Sequence, residues 1–300
     1  MFKVEKADLA KLKKLHEEGK LVGVFETSSE DYHNAPGISK SALDDIAKAP
    51  AAYDYLRRNP DEPTEEMEFG QVLHCLVLEP EKFQERYAVA PESIERRGTK
   101  DWNAFVAANP GKQHLKHGGE RGFAAAEKIA KAARAHSRVA LLAGLKELSF
   151  FWKDPTTGIL CKCRPDNLTV KGVITDYKTC QLAYPARAWA RQVLTYRIHV
   201  QAAFYLDGVV HALEQAGMSK VGFPVPKHFV TYAQEKTGPY LVKPWLIAEA
   251  SVALGRRAYQ EDLRVIKSCE TSMHWPGYPE SIEEVNCPEY AWENEGESNE

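Results

Sequence analysis

The stretch CRPDNLTVKGVITDYKTC, residues 163–180, decides the fold that the sequence predicts. It contains two strand-like segments separated by Lys171 and Gly172, a pair typical of a hairpin turn. The second segment begins with apolar residues but then places Asp176 and Lys178 two positions apart. Residues at that spacing on a strand share a face and lie about 6 to 7 Å apart. The hairpin therefore carries a carboxylate beside an ammonium.

A third charged residue, Asp166, precedes the hairpin turn. With an odd loop, for instance Val170 to Gly172, Asp166 faces Asp176 across the ladder, whereas an even loop places them on opposite faces. Facing carboxylates repel each other unless a cation lies between them, and Mg²⁺ or Mn²⁺ prefers such oxygen ligands. Lys178 would then orient or deprotonate a water, or stabilise charge on a phosphorane. The alternative is an ordinary surface salt bridge on a hairpin.

Composition indicates a globular protein. The 300 residues are 44% hydrophobic and carry a formal net charge of −3, and no apolar run is long enough to span a membrane. The first twenty residues are too charged for a signal peptide, so we expect a cytoplasmic protein. The six cysteines lack the spacing of a zinc or iron–sulfur site, so we expect free thiols.

Charge is distributed unevenly along the chain. Residues 280–300 contain eight Glu and no Lys or Arg, which indicates an acidic tail, whereas residues 94–138 contain ten basic residues against four acidic ones. The basic segment is compatible with a DNA contact or a subunit interface, and equally with a solvated helix face.

The order of predicted elements is helices, then a short sheet, then helices, which favours an α+β (α/β/α-like) fold with a short mixed sheet flanked by helices. We expect a helical, variable segment over 1–29, a central domain over 30–279 and the tail over 280–300. A capping box at Ser41 and Asp44 is predicted within the first helix, which Pro50 interrupts. The predicted helices are 39–58, 67–78, 121–144, 188–213 and 248–269, and the predicted strands are 148–152, 159–170, 173–179 and 228–232.

Two further patterns fall on predicted helices. Gly70 and His74 lie one turn apart, and the glycine leaves room for close backbone approach to a histidine that could bind a metal or a phosphate. Arg197, Gln201 and Tyr205 follow each other at one-turn spacing, a stripe suited to holding a DNA strand. Each pattern could also be an ordinary feature of a core helix or a polar helix face.

Three motifs occur along the chain in the order G-x-x-x-H, then D with D-x-K, then Q-x-x-x-Y. Together they resemble the RecB-like branch of the PD-(D/E)XK nucleases. Several longer segments, spread over roughly residues 30 to 280, resemble the RecE-type exonuclease domain (exodeoxyribonuclease VIII). They are ISKSALDDIAKAPAAY, FGQVLHCLVLEPEKF, GILCKCRPDNL, YRIHVQAAFYLDG and HWPGY. The resemblance implies a PD-(D/E)XK core.

The resemblance also implies roles for individual residues. Asp166 and Asp176 would be metal ligands, joined by the carbonyl of Tyr177, by His74 and by a further acidic residue, Glu147. The catalytic residues would be Lys178, Asp166, Asp176, His74, Gln201 and Tyr205, with Lys178 as the catalytic lysine and Gln201 and Tyr205 as the pair that positions substrate.

The implied activity is a Mg²⁺-dependent (Mn²⁺ possible) 5′ to 3′ exonuclease on double-stranded DNA ends, leaving 3′ overhangs for recombination by single-strand annealing. The implied partners are a RecT-like annealing protein and further copies of the chain in a tetrameric ring, and no membrane. The alternatives are a site-specific or structure-specific PD-(D/E)XK endonuclease and a non-catalytic DNA-binding module. The intact Asp, Asp, Lys set argues against the last, because unsupported clustered charges are costly.

Overall fold

The computed structural model describes residues 4–218 and 222–286, and these residues form three β-sheets and eleven α-helices. The strands are β1 (Glu5–Lys6), β2 (Gly23–Glu26), β3 (Tyr87–Val89), β4 (Gln113–Leu115), β5 (Leu145–Lys146), β6 (Leu148–Lys153), β7 (Leu160–Cys163), β8 (Asn167–Leu168), β9 (Val173–Cys180), β10 (His228–Glu235) and β11 (Val242–Leu246). The helices are α1 (Leu9–Glu17), α2 (Ser29–Asn34), α3 (Lys40–Lys48), α4 (Pro50–Arg58), α5 (Glu65–Leu78), α6 (Phe83–Arg86), α7 (Lys100–Ala108), α8 (Phe123–Ala135), α9 (Ala186–Thr195), α10 (Ile198–Gln215) and α11 (Glu249–Ser272), with 3₁₀ turns at Pro80–Lys82 and Val139–Leu142.

A five-stranded mixed sheet in the order β11-β10-β9-β8-β5 forms the centre of the fold. Its long middle strand, β9, pairs antiparallel with β8 and parallel with β10. A parallel pair needs a crossover connection, and α9 and α10 supply it between β9 and β10. A four-stranded sheet, β1-β2-β6-β7, lies beside it, and β3 and β4 form a separate parallel pair.

The predicted hairpin between β8 and β9 is confirmed. Asn167 pairs with Thr175, and the register extended by one residue places Asp166 opposite Asp176. The loop is therefore odd, and Gly172 adopts a φ of 74°, which glycine tolerates without strain. Both carboxylates accordingly lie on one side of the sheet.

The predicted continuous strand over 159–170 is wrong. β7 ends at Cys163 in the four-stranded sheet, and β8 begins at Asn167 in the five-stranded sheet, so Arg164–Asp166 cross from one sheet to the other. Pro165 has no N–H to donate to a ladder, which favours the break at this point. A second crossing lies beside it, where Glu147, with a φ of 53°, joins β5 to β6.

The five-stranded sheet has helices on both faces. Ile174 and Phe229 belong to a core cluster with α10 and α11, whereas Tyr177 and Tyr232 belong to a cluster with α5 and α8. Helix α10 is the most buried of the described helices, and it packs closely against α11 because Gly255 has no Cβ to collide with the carbonyl of His199. The layers are α/β/α, as the sequence predicts.

Two predicted helices are each two helices. Residues 39–58 form α3 and α4, with Pro50 at the first position of α4, where its missing N–H costs nothing. The predicted cap at Ser41 is wrong, because the hydroxyl of Ser39 accepts the N–H of Ala42 at 3.4 Å. Residues 188–213 divide into α9 and α10 at Arg197, which adopts a left-handed conformation with φ 48°.

The remaining boundaries differ in length. The alanine-rich helix predicted over 121–144 ends at Ala135 and is followed by a 3₁₀ turn. The strand predicted over 228–232 extends to Glu235, and β11 was not predicted at all. The helix predicted over 248–269 is confirmed as α11.

The N-terminal segment contributes to the four-stranded sheet. β2 pairs with β1 on one side and with β6 on the other. The division of the chain at residue 29 remains a prediction, and most of the acidic tail, 287–300, lies outside the described residues. Within the described part, the cysteines are free and buried, and no helix is long and apolar enough to cross a bilayer.

The end of α2 is held by a buried lysine of β7. The ammonium of Lys162 donates to the carbonyls of Tyr32 at 2.8 Å, His33 at 3.0 Å and Ala35 at 2.5 Å. These carbonyls lie at the negative pole of the helix, where a cation is favourable. Burial lowers the pKa of Lys162 to about 8, so the ammonium predominates at neutral pH.

The Lys162→Met substitution should destabilise the protein, because it leaves three largely buried carbonyls without their donor. We expect a loss of about 2 to 3 kcal/mol in the free energy of unfolding, measured by urea denaturation at neutral pH. Lys171→Met, at an exposed turn residue, is the matched control and should leave the midpoint unchanged. Equal midpoints for the two variants would contradict this account of α2.

Candidate active site

The site forms where the chain crosses between the two sheets. β8 is only two residues long, so β9 has no strand partner on that side beyond Thr175. The Asp166 carboxylate occupies this gap, and its Oδ2 accepts the N–H of Tyr177 at 2.7 Å. Because the N–H and C=O of a strand residue point to the same edge, the Tyr177 carbonyl faces the same gap.

Three of the predicted residues could hold a metal ion. His74 from α5, Glu147 from one crossing and Asp166 from the other each offer a ligand atom, and these atoms all lie within 4.8 Å of one another. His74 Nδ1 is 3.4 Å from Asp166 Oδ2. Two carboxylates with one imidazole suit a cation such as Mn²⁺ or Mg²⁺.

The electrostatics of this cluster favour a cation. Burial, together with the charge of Asp176, raises the pKa of Asp166 to about 8, and burial raises the pKa of Glu147 to about 7 although Arg164 opposes it. Burial also lowers the pKa of His74, which keeps the imidazole in its neutral, metal-binding form. A divalent cation would relieve the cost of the buried carboxylates, so the residues present fit such an ion.

Asp176 lies deeper than its neighbours and is only 2% exposed. Its Oδ1 accepts Gln201 Nε2 at 2.6 Å. Its buried Oδ2 has no well-aligned hydrogen bond and forms an ion pair with Lys178 Nζ at 2.8 Å. Burial by itself would lower the pKa of Lys178, but Asp176 and Asp166 raise it further than burial lowers it. Lys178 is therefore an ammonium, suited to stabilise negative charge rather than to accept a proton.

Tyr205 lies one turn beyond Gln201 on α10. Its ring contacts Phe229 edge-on, with centroids 6.3 Å apart, and its hydroxyl forms no hydrogen bond to any residue that the structure describes. The nearby carboxylates Asp176 and Asp166 add to the effect of burial in raising the pKa of this phenol. The hydroxyl thus remains a proton donor near the carboxylate pair.

Arg197 does not belong to this stripe. Its left-handed backbone starts α10 rather than preceding Gln201 within one helix. Its guanidinium donates to the Leu43 carbonyl at 2.6 Å and to Asp262 at 2.5 Å. It therefore ties α3 and α11 to the start of α10, and the DNA contact expected at Arg197 stays a prediction.

An open cleft of about 830 Å³ leads to Lys178 and Gln201. Gly70 is half-buried with nothing within 4 Å of where a Cβ would project, so no residue that the structure describes makes the close approach predicted there. The lining comes from α3, α5, β9, α9 and α10: Lys40, Asp44, Ala47, Lys48, Met67, Lys178, Thr179, Trp189, Gln192, Thr195, Tyr196, Arg197, Ile198 and Gln201.

Two basic residues of the site were not predicted. Lys40 lies in the cleft and donates to the Tyr196 carbonyl at 2.8 Å and to Asp44 at 2.5 Å. Arg164 is 3.1 Å from the Glu147 carboxylate and also donates to its carbonyl. Only the position of Arg164, directly before Pro165 and Asp166, could have indicated its role.

The basic segment 94–138 surrounds a different cleft, of about 500 Å³. Arg96, Arg97 and Lys116 line it together with acidic residues of α5, and Arg121 forms ion pairs with Glu65 and Glu66. Part of the basic charge is therefore neutralised within the protein. Whether this segment contacts DNA or another subunit stays a prediction.

The core has α/β/α layers, and the short strand β8 brings Asp166 beside Asp176 and Lys178 of β9. This arrangement is the PD-(D/E)XK nuclease fold, and the fold prediction is confirmed. The model of the family described as PDDEXK-like domain of unknown function (DUF3799) matches residues 39–288, so the chain belongs to that family.

One solved structure supports this fold. The crystal structure of a "putative exonuclease" from Eubacterium rectale superposes with a TM-score of 0.55 at 15% sequence identity, covering 88% of this chain and 96% of that protein. No curated protein matches the sequence. The superfamily is thus established, whereas the narrower RecE-type resemblance and the individual roles of the site residues stay predictions.

The pH dependence of stability should report the metal cluster. The pKa is raised to about 8 for Asp166 and to about 7 for Glu147. The two carboxyls therefore stabilise the metal-free fold most at a pH below their pKa in the unfolded chain, which is near 4. This contribution is lost as the pH rises through 7 to 8. A divalent cation relieves the loss. Mn²⁺ should therefore raise the melting temperature more at about pH 8.5 than at about pH 6.

Thermal melts with EDTA or Mn²⁺ at both pH values check this, and Asp166→Asn is the matched variant. It should reduce both the Mn²⁺ effect and its pH dependence, because one of the ligand carboxylates is gone. An equal Mn²⁺ shift at the two pH values in the unsubstituted protein would show that the cluster does not titrate as described.

Proposed function

We propose that the protein is a divalent-metal-dependent exonuclease that degrades one strand of double-stranded DNA from its 5′ end and leaves a 3′ single-stranded overhang. The observation that carries the nuclease part is the side-by-side arrangement of the His74, Glu147, Asp166 cluster and the Asp176–Lys178 ion pair next to the cleft. Membership of the PD-(D/E)XK family supports the same chemistry. The resemblance of the phrases over residues 30 to 280 to RecE-type domains supports the polarity and the substrate.

The chemistry divides between the cation and the protein. When bound, a Mg²⁺ or Mn²⁺ ion would supply Lewis-acid activation of water and of the phosphodiester. Its ligands would be His74, Glu147, Asp166, Asp176 and the Tyr177 carbonyl. Gln201 fixes the orientation of Asp176 by donating to Oδ1, so the carboxylate needs no reorganisation when substrate arrives.

Lys178 and Tyr205 act on the phosphate. The Lys178 ammonium, held 2.8 Å from Asp176, can donate to a non-bridging phosphate oxygen as negative charge develops on it. The Tyr205 hydroxyl can donate a second hydrogen bond at the same phosphate. Of the roles considered for Lys178, charge stabilisation and orientation of water fit its ion pair with Asp176 best.

The partners are proposals on the same basis. We propose that the protein acts in the cytoplasm on DNA ends, assembles as a homo-oligomer of the tetrameric ring type, and works with a RecT-like annealing protein in recombination. These proposals follow from the RecE-type resemblance.

Degradation of end-labelled DNA tests the activity and its polarity. With Mg²⁺, we expect early release of label from the 5′ end of a linear duplex, late release from the 3′ end, and no cutting of a closed circle. Asp176→Asn should lower the rate by about 10²-fold or more, since it removes a proposed metal ligand and the ion-pair partner of Lys178. Asp101→Asn, at an exposed position of α7, is the control and should retain full activity.

Each other outcome of this assay has a definite meaning. Cutting of the circle would establish the endonuclease alternative on the same residues. Release from the 3′ end first would reverse the proposed polarity. Binding of DNA without cleavage in either Mg²⁺ or Mn²⁺ would overturn the nuclease proposal and leave a DNA-binding module.

Lys178→Met separates charge stabilisation from metal binding. The variant should lose activity by about 10²-fold or more while the Mn²⁺-induced rise in melting temperature is kept or increased, because the ammonium repels the cation. Thermal melts and duplex degradation are measured on the same preparation, with Lys171→Met as the control. Loss of the Mn²⁺ effect would instead show that Lys178 organises the metal ligands.

A further inference from the structure

Two aromatic rings form an exposed surface beyond the end of β9. Tyr184 is 63% exposed, and its ring is within 8° of parallel to that of Trp245 on β11, with centroids 6.3 Å apart. The Trp245 Nε1 donates to the Ala183 carbonyl at 2.9 Å, which fixes the indole. We refer to Tyr184 and Trp245 as the aromatic platform.

Cationic side chains lie on the two elements that adjoin the aromatic platform, α9 and β11. Helix α9 begins two residues after Tyr184, contains Arg187 and Arg191, and has no acidic residue. Both arginines are exposed, and neither forms an ion pair within the described ranges 4–218 and 222–286. The Lys243 ammonium lies 5.1 Å from the centroid of the Trp245 ring. The nearby Glu235 carboxylate already accepts the N–H of Ala183 at 3.0 Å.

Helix α9 links the segment that carries Tyr184 to the cleft of the candidate active site. Trp189, Gln192 and Thr195 of α9 line that cleft together with Lys178. Gln192 also donates to the carbonyl of Leu182 at 2.9 Å, which attaches the segment before Tyr184 to the helix. A nucleic-acid strand that ran from Lys178 along α9 would meet Tyr184 at the start of that helix.

We propose that the aromatic platform binds single-stranded DNA, with a base stacked on Tyr184 and phosphates contacting Arg187, Arg191 and Lys243. The source of the strand rests on the proposed exonuclease function, since resection leaves one strand unpaired beside the cleft. Stacking accepts every base, so the binding is independent of sequence. The exposed leucines nearby, Leu182, Leu194 and Leu246, would suit a protein partner, but the parallel rings and unpaired cations favour a polyanion with aromatic bases.

Binding of a fluorescent oligothymidylate to the metal-free protein tests the platform without cleavage. Tyr184→Ala should weaken the affinity by roughly 5- to 100-fold, the effect expected for one stacked base. Tyr184→Phe keeps the ring and should bind like the unsubstituted protein. Tyr55→Ala removes an equally exposed tyrosine (65%) on α4 and should change nothing.

The cations give a second test that does not depend on the tyrosine. Arg191→Glu should weaken binding and reduce its dependence on salt concentration, because fewer counterions are released. Lys13→Glu, a substitution of the same charge change at an exposed position of α1, is the control and should leave the affinity within about twofold, because Lys13 lies outside the cleft, the aromatic platform and the basic segment 94–138.

The outcomes of these experiments separate the aromatic platform from a protein interface and from the nuclease function. Equal oligonucleotide affinity for Tyr184→Ala and Tyr55→Ala would overturn the proposal. A change of oligomeric mass by light scattering in Tyr184→Ala, with unchanged oligonucleotide binding, would assign the surface to a protein interface and also overturn it. Binding that depends on Tyr184 in a protein that cuts no DNA would support the aromatic platform while refuting the nuclease function. DNA cleavage by a protein whose oligonucleotide binding does not depend on Tyr184 would support the nuclease function while refuting the aromatic platform.

Discussion

The hydrogen bond from the Tyr177 N–H to Asp166 Oδ2 is the interaction on which the site depends. It takes a position on β9 that a ladder bond from β8 would otherwise occupy, and it is available because β8 stops after two residues. A side chain thus replaces a backbone partner at the middle strand of the sheet. The carboxylate is fixed in a buried position without a cation of its own, and that makes the place receptive to a metal ion.

Buried charges around this bond are compensated one by one. Glu147 forms an ion pair with Arg164. Asp176 forms an ion pair with Lys178 and accepts a hydrogen bond from the amide of Gln201. Asp166 has only a backbone donor and a histidine that burial keeps neutral. Asp166 is therefore the carboxyl without a cationic partner among the described residues, and it lies against Glu147 and His74. Because α5 and α10 lie on opposite faces of the sheet, the two helices approach this place from both sides and leave the cleft open between them.

The sequence predicted the parts of the site that depend on local rules. The turn residues Lys171 and Gly172 predicted the hairpin but left the parity of its loop open, and the spacing of Asp176 and Lys178 on β9 placed them on one face. Pro165 is a sequence signal for an interruption at Arg164–Asp166, but the change of sheet there depends on tertiary pairing, which the apolar pattern does not encode. The junction at Arg197 was missed for a similar reason, since its left-handed backbone is maintained by contacts to Leu43 and Asp262 that are distant in sequence. Short strands such as β2 and β11 carry too few residues for a periodic signal.

The position of β2 has a consequence for any shortened form of the protein. β2 lies between β1 and β6, so it covers one side of β6 from Leu148 to Phe151. A chain that began at residue 30 would contain every candidate ligand of the metal and yet present the buried, aromatic β6 as an open sheet edge. Exposed edges of this kind pair with other chains. Self-association of such a fragment would thus come from an uncovered strand and would say nothing about the natural assembly.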